Sequence, residues 1–171
     1  MTSPRRIAST RRSRPPRQGW IVIRVVLLAQ GGEGLVDPPG RDLLVSDTNT
    51  FGDLASGIDH AFARWDLSHL HEFRLADGRR IGAIDPDGFE DDAVDLDERK
   101  VIVQQVGLRP GDALEYVFDL GDRWKHRCTL LRQGVDPVKE FGARPSEVVP
   151  IFGWGAIPDQ YGRTTPDEED A

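Results

Sequence analysis

The sequence predicts an α+β fold, a mixed or antiparallel sheet packed on one main helix over about residues 50–65. Three observations point to it. Residues 113–132 read as two strands around a tight turn, with apolar side chains at every second position. Residues 50–65 carry apolar side chains at helical spacing. Residues 69–84 read as a second strand pair joined by Asp77-Gly78, a strong hairpin signal.

Taken in order, residues 1–18 hold Arg5, Arg6, Arg11, Arg12, Arg14 and Arg17 among Ser, Thr and Pro, with no acid. Such a segment cannot bury enough apolar surface to offset its ordering entropy, so a disordered basic arm is expected. A single domain over 19–163 follows. Trp20 to Leu28 is the first strand, apolar on both faces and therefore central in its sheet. A Gly- and Pro-rich loop leads to a second strand over 41–46, paired antiparallel with the first. Thr50 and Asp53 have the spacing of a helix capping box, with Asp in place of the usual Glu. Phe51, Leu54, Ile58, Phe62 and Trp65 form one stripe for packing against the sheet. Gly57 lowers helix propensity by about 1 kcal/mol relative to Ala, which packing of that stripe outweighs. His60 falls off the stripe, on the solvated side.

Strands over 69–75 and 80–84 come next, followed by an acidic insert over 85–99. Eight acids and no base fall in residues 85–98. Counted from Asp85, the sixth position of a calcium loop would be Glu90 and the twelfth Leu96, where such a loop needs Gly and Glu, so a solvated loop is the better reading. Val101 to Leu108 is a short strand or helical turn. Beyond Arg132 the chain reads as irregular, with Phe141, Val148, Val149, Ile151, Phe152 and Trp154 laid across the sheet as an extended cover. Residues 153–161 read as a packed strap or the lining of a groove, and 164–171 as a disordered acidic tail.

Most of the chemically capable side chains sit in the 113–132 hairpin. Trp124, His126, Cys128 and Leu130 share one face, with Asp119 and Asp122 at the bend and Gly121 suited to positive φ there. Residues 116–126, Tyr-Val-Phe-Asp-Leu-Gly-Asp-Arg-Trp-Lys-His, resemble the Y-x-Y/F-D-F-G-D-x-W-x-H signature of the plasmid pRiA4b Orf-3-like family. Residues 68–73, Ser-His-Leu-His-Glu-Phe, are similar to that family's S-H-L-H-x-F segment, and an acidic insert separates the two, as in the family. The resemblance spans about residues 19–163 and implies a β-grasp-like α+β domain with no established activity. It further implies a bacterial context, with some members near plasmids or other mobile elements. Leu120 stands where the family usually has Phe, and Lys125 where it often has Glu, which reverses a charge beside the candidate site.

Composition narrows the function classes. A chain of 171 residues is long enough for one domain with a real core, and 38% hydrophobic with 30% charged residues describes a soluble, cytoplasmic protein. The apolar run from Ile21 to Leu28 is too short to cross a bilayer, and no signal-peptide order follows the arginines, so no membrane partner is expected. A net charge of −7 argues against a nucleic-acid-binding body and leaves only the N-terminal arm for that role. One cysteine excludes an intramolecular disulfide, and Cys128 on an apolar strand face reads as a buried hydrophobe.

The candidate binding residues are His69, His71, Asp119, Asp122, Trp124 and His126. Two imidazoles two apart on a strand point to one face, and with His126 and Asp122 they form a candidate ligand set for one divalent transition metal, able to activate water for hydrolysis. The same residues can instead form a structural His–carboxylate network around the turn, because Asp side chains accept bonds from nearby backbone N–H groups. Ser68 lacks the glycines of a nucleophile elbow. The preferred reading is a non-enzymatic module without a cofactor, binding a protein or small-molecule partner through the Trp124, His126 and His71 surface. A metal-dependent hydrolase and nucleic-acid association through the arginine arm are the alternatives.

Overall fold

Residues 20–30 alternate so that Ile21, Ile23, Val25 and Leu27 fall on one side and Val22, Arg24 and Val26 on the other, and both sides can be covered in a sheet centre. In the computed structural model, which describes residues 19–85, 87 and 94–162, this segment is strand β1 (Trp20–Gln30). The expected arm over 1–18, the tail over 164–171 and most of the acidic insert lie outside the described residues.

Eight further strands follow: β2 (Glu33–Gly34), β3 (Gly40–Val45), β4 (His71–Arg74), β5 (Arg80–Gly82), β6 (Leu96–Asp97), β7 (Ala113–Phe118), β8 (Trp124–Val135) and β9 (Val149–Trp154). Among the described residues they form one mixed nine-stranded sheet in the order β6-β5-β4-β7-β8-β1-β3-β9, with β2 paired to β1. Every pair is antiparallel except β5–β6. Among the described residues the helices are α1 (Phe51–Ala61), α2 (Pro137–Phe141) and a short 3-10 turn at Val103–Val106.

The capping box forms as its spacing predicts: the Thr50 hydroxyl accepts from the Asp53 N–H, and the Asp53 carboxylate accepts from the Thr50 N–H. Helix α1 then lays Phe51, Leu54, Ala55 and Ile58 on the sheet face built by Ile23, Val25, Leu43, Phe73, Tyr116 and Cys128. Each of the larger side chains contributes about 1.5–3 kcal/mol by leaving water. The helix presses so closely on Val148 that a Cβ at Gly57 would sit 2.5 Å from its Cγ1, so the residue with low helix propensity is there for clearance.

Three expectations are corrected. Trp65 lies beyond the end of α1 and is half exposed, because Ala63 turns the chain at φ 53 and takes it off the helix axis. The segment expected to cover the sheet instead extends its edge: β9 hydrogen-bonds β3, leaving Phe152 exposed, and Phe141 is exposed on α2. At the β7–β8 bend the left-handed residues are Asp119 (φ 58) and Arg123 (φ 54), not Gly121. Asp tolerates that conformation because its side chain bonds locally, and Asp119 Oδ1 accepts from the Gly121 and Asp122 N–H groups.

Candidate functional site

Two polar groupings lie beneath and beside α1. The first is a closed knot around Arg64. Ala63 in the left-handed conformation, with the Arg64 N–H bonded to the Asp59 carbonyl, turns the Arg64 side chain back under the helix end. Its guanidinium lies 4.5 Å from the centre of the Trp124 ring and 5.3 Å from that of Phe118. Nη1 donates to the Phe62 carbonyl at 2.8 Å, and Nη2 lies 3.1 Å from His126 Nε2. The other imidazole nitrogen, Nδ1, lies 3.2 Å from the Tyr116 carbonyl oxygen. Arginine only donates and a carbonyl only accepts, so His126 is the neutral tautomer with its proton on Nδ1. Burial and the Arg64 charge push its pKa down to about 3.

The second grouping opens to a cavity of about 300 Å³. Asp59 occupies the buried side of α1, four residues after Ala55 and eight after Phe51. Its Oδ1 accepts the Tyr116 hydroxyl at 2.8 Å. Burial raises the Asp59 carboxyl to about 6, against the opposing pull of the Tyr116 hydrogen bond and the charges of His71 and Arg64. The same burial, with the Asp59 charge and hydrogen bond, holds the Tyr116 phenol well above its ordinary value. His71 reaches in from β4, and its Nε2 lies 2.7 Å from Glu98 Oε2, just past β6. Burial lowers the His71 pKa, but the Glu98 hydrogen bond and the Glu98 and Asp59 charges outweigh it, so the net direction is upward. Arg64 borders the cavity too; burial lowers its pKa from the guanidinium value, and the Asp59 charge counters this.

The three histidines expected in one site, His69, His71 and His126, are placed in three. His69 and His71 do not share polar partners. His69 Nε2 lies 2.7 Å from the Tyr161 hydroxyl and its Nδ1 3.2 Å from Asp119 Oδ2, in a surface network that includes Asp66. His71 turns to Glu98, and His126 is enclosed in the knot. Asp122 stays exposed at the bend, where its carbonyl accepts from the Gly31 N–H. His69, His71, His126 and Asp122 are therefore not brought together, and among the described residues no three His, Cys, Asp or Glu side chains are grouped to hold a metal ion. Trp124 and His126, expected as contact surface, are 0% and 1% exposed, so they support Arg64 from behind and meet no partner directly.

Asp59, Arg64, Glu98 and the Tyr116 hydroxyl are the site residues that sequence reasoning missed. Asp59 carried a signal, since an acid on an apolar helix stripe must find a buried partner. Glu98 had none, being one of eight acids in residues 85–98. The loop after α1 is held by Gln160, whose Oε1 accepts from the Trp65 and Asp66 N–H groups and whose Nε2 donates to the Asp66 carbonyl. That is a strap, one of the two expectations for residues 153–161.

Residues 34–144 match the family model described as plasmid pRiA4b ORF-3-like protein. All five ionisable residues of the cavity, Asp59, His60, Arg64, His71 and Glu98, lie inside that span. No curated protein matches the chain. Among solved structures, the fold is similar to the crystal structure of protein of unknown function MM3350 from Methanosarcina mazei Go1, with a TM-score of 0.62 and 22% identity over 80% of this chain and 70% of that one. No helix among the described residues is long and apolar enough to cross a membrane.

Proposed function

The chain belongs to the plasmid pRiA4b ORF-3-like family, and we propose that it is a non-enzymatic module that binds a small polar ligand in the cavity beside α1. One observation carries this. Five ionisable side chains, Asp59, His60, Arg64, His71 and Glu98, border one cavity, and Asp59 and Glu98 each keep a carboxylate oxygen without a partner. Asp59 uses one carboxylate oxygen for Tyr116, and Glu98 uses one for His71. Arg64 borders the cavity with two of its N–H groups bonded, and its Nε is buried without a partner. A network built only to stabilise the fold would close on itself, because unmet buried polar groups cost about 1–3 kcal/mol each. The knot does the opposite for His126, whose two nitrogens are both satisfied. In the same reading, the sheet with α1 on its face is a β-grasp-like arrangement.

A thermal-shift screen with amino acids, amines, carboxylic acids, sugars and nucleosides tests the proposal on the full chain. A ligand that binds only the folded state raises the melting temperature. The expected result is a hit on the wild type that is lost in Asp59→Asn and Glu98→Gln, both still folded by circular dichroism. Hits of equal size in all three proteins, or none on the wild type, would overturn it.

Hydrolysis at the same cavity is a second reading with one observation behind it. A carboxyl raised to about 6 and an imidazole with a raised pKa face one space, the pairing that general acid–base catalysis uses. Turnover of phosphoester or amide substrates, abolished by Asp59→Asn, would favour it over binding alone.

A further inference from the structure

The charges around the cavity are balanced, but only one acid–base pair among them is in direct contact. Two are carboxylates, Asp59 and Glu98, and two are bases, Arg64 and His71. His60 also borders the space but stands exposed on the outer side of α1. His71 and Glu98 form a direct pair at 2.7 Å. Asp59 and Arg64 do not: the carboxylate takes the Tyr116 hydroxyl, while the guanidinium is held by the Phe62 carbonyl and His126. The cavity thus has one wall with spare acceptors, the second oxygens of Asp59 and Glu98. Arg64, a residue only 6% exposed, borders the same space with its positive charge.

A lone cation or a lone anion would add an unbalanced charge beside groups already removed from water, and burying an uncompensated charge is costly. A molecule with both charges meets the acids and the bases without that cost. The volume of about 300 Å³ is at the small end for ligand pockets. A neighbouring cavity of about 640 Å³ shares Ser56, His60 and Leu67 with it, which gives a side chain somewhere to extend. We infer that the ligand is a small zwitterion of the α-amino-acid class, its ammonium group seated against Asp59 and Glu98 and its carboxylate against Arg64. This ligand class rests on the cavity being a binding site at all.

Isothermal titration calorimetry of the full chain with the proteinogenic L-amino acids, one at a time at neutral pH, tests it. The expected result is that at least one binds. Its N-acetyl derivative and its C-terminal amide should each bind at least about tenfold more weakly, since each loses a charged hydrogen bond. Asp59→Asn should weaken the free amino acid by a similar factor while the protein stays folded. Retained affinity with either end blocked would overturn the zwitterion. If no amino acid binds but another small polar compound stabilises the wild type and not Asp59→Asn, the ligand class fails and the binding site stands. If no compound does, both fail.

Discussion

The knot and the cavity are neighbours that share Arg64, yet they handle buried polarity in opposite ways. In the knot the imidazole of His126 is neutral, enclosed and fully bonded, with the Phe62 and Tyr116 rings packed against it. In the cavity the Asp59 and Glu98 carboxylates each keep an oxygen free, and His71 keeps partial access to solvent. The difference separates what holds the fold from what can meet a ligand. A conspicuous sequence motif built the first, and scattered residues built the second.

The largest expected effect breaks the knot. Trp124→Ala removes a fully buried ring and the face on which Arg64 stacks, and should cost about 3–5 kcal/mol of stability in urea unfolding. A loss under about 1 kcal/mol would mean that the knot does not organise the core.

Acid and base should separate the two regions next. Asp59 has its folded pKa raised to about 6, above the ordinary 3.8, so its contribution to stability is present below about pH 4 and is lost as pH rises through 6. His71, also raised, acts in the same direction. His126 is held at about 3, below its ordinary 6.5, so the knot is stable above that value and weakens as pH falls. Asp59→Asn should therefore lessen the decline in stability between about pH 4 and 7, by up to about 3 kcal/mol relative to the wild type. If the wild type instead gained on the variant as pH rose, ionised Asp59 would be stabilising and the cavity would belong with the knot.

Tyr116 joins the two regions, since its carbonyl serves His126 and its hydroxyl serves Asp59. Tyr116→Phe keeps the first bond and removes the second. It should cost about 1–2 kcal/mol and move the Asp59 titration upward, because the lost bond favoured the ionised carboxylate. Carbon-13 detected NMR of the carboxyl would follow that shift, and an unmoved titration would show that burial alone sets it. Gly57→Ala tests the wall beside the cavity. Ala gains about 1 kcal/mol in helix propensity, but crowding against Val148 costs about 1–3, so a net loss near 1 kcal/mol is expected. A stabilised variant would mean that Val148 yields.

These contrasts also mark what could be read from the sequence. The β7–β8 hairpin, the capping box and the stripe of α1 were legible because periodicity and capping are local. The family was legible for the same reason, through two contiguous motifs. The position of β9 was not, since whether residues 149–154 lie across a sheet or along its edge depends on β3, more than a hundred residues earlier. The histidines misled because their spacing gives a face but not a depth. His126 lies on a central strand and is 1% exposed, and His69 precedes β4 and turns to the strap. Glu98 became a site residue only when β6 paired parallel with β5 and carried it to His71.

The smallest expected effect lies at the surface network. His69 has Asp66, Asp119 and Tyr161 around it, but its side chain is 28% exposed, and such exposed ion pairs are worth about 1 kcal/mol or less. The loop after α1 is fixed by the Gln160 bonds to the Trp65 and Asp66 backbone, which do not involve His69. His69→Ala should therefore change stability by less than about 1 kcal/mol and leave binding of any cavity ligand unchanged, whereas Gln160→Ala should loosen the segment that presents Arg64 and weaken binding. Hydrogen exchange of the Trp65 and Asp66 amides separates the two variants. If His69→Ala also speeds their exchange and weakens binding, the strap is held from the surface, and the three places in which the histidines lie act as one unit.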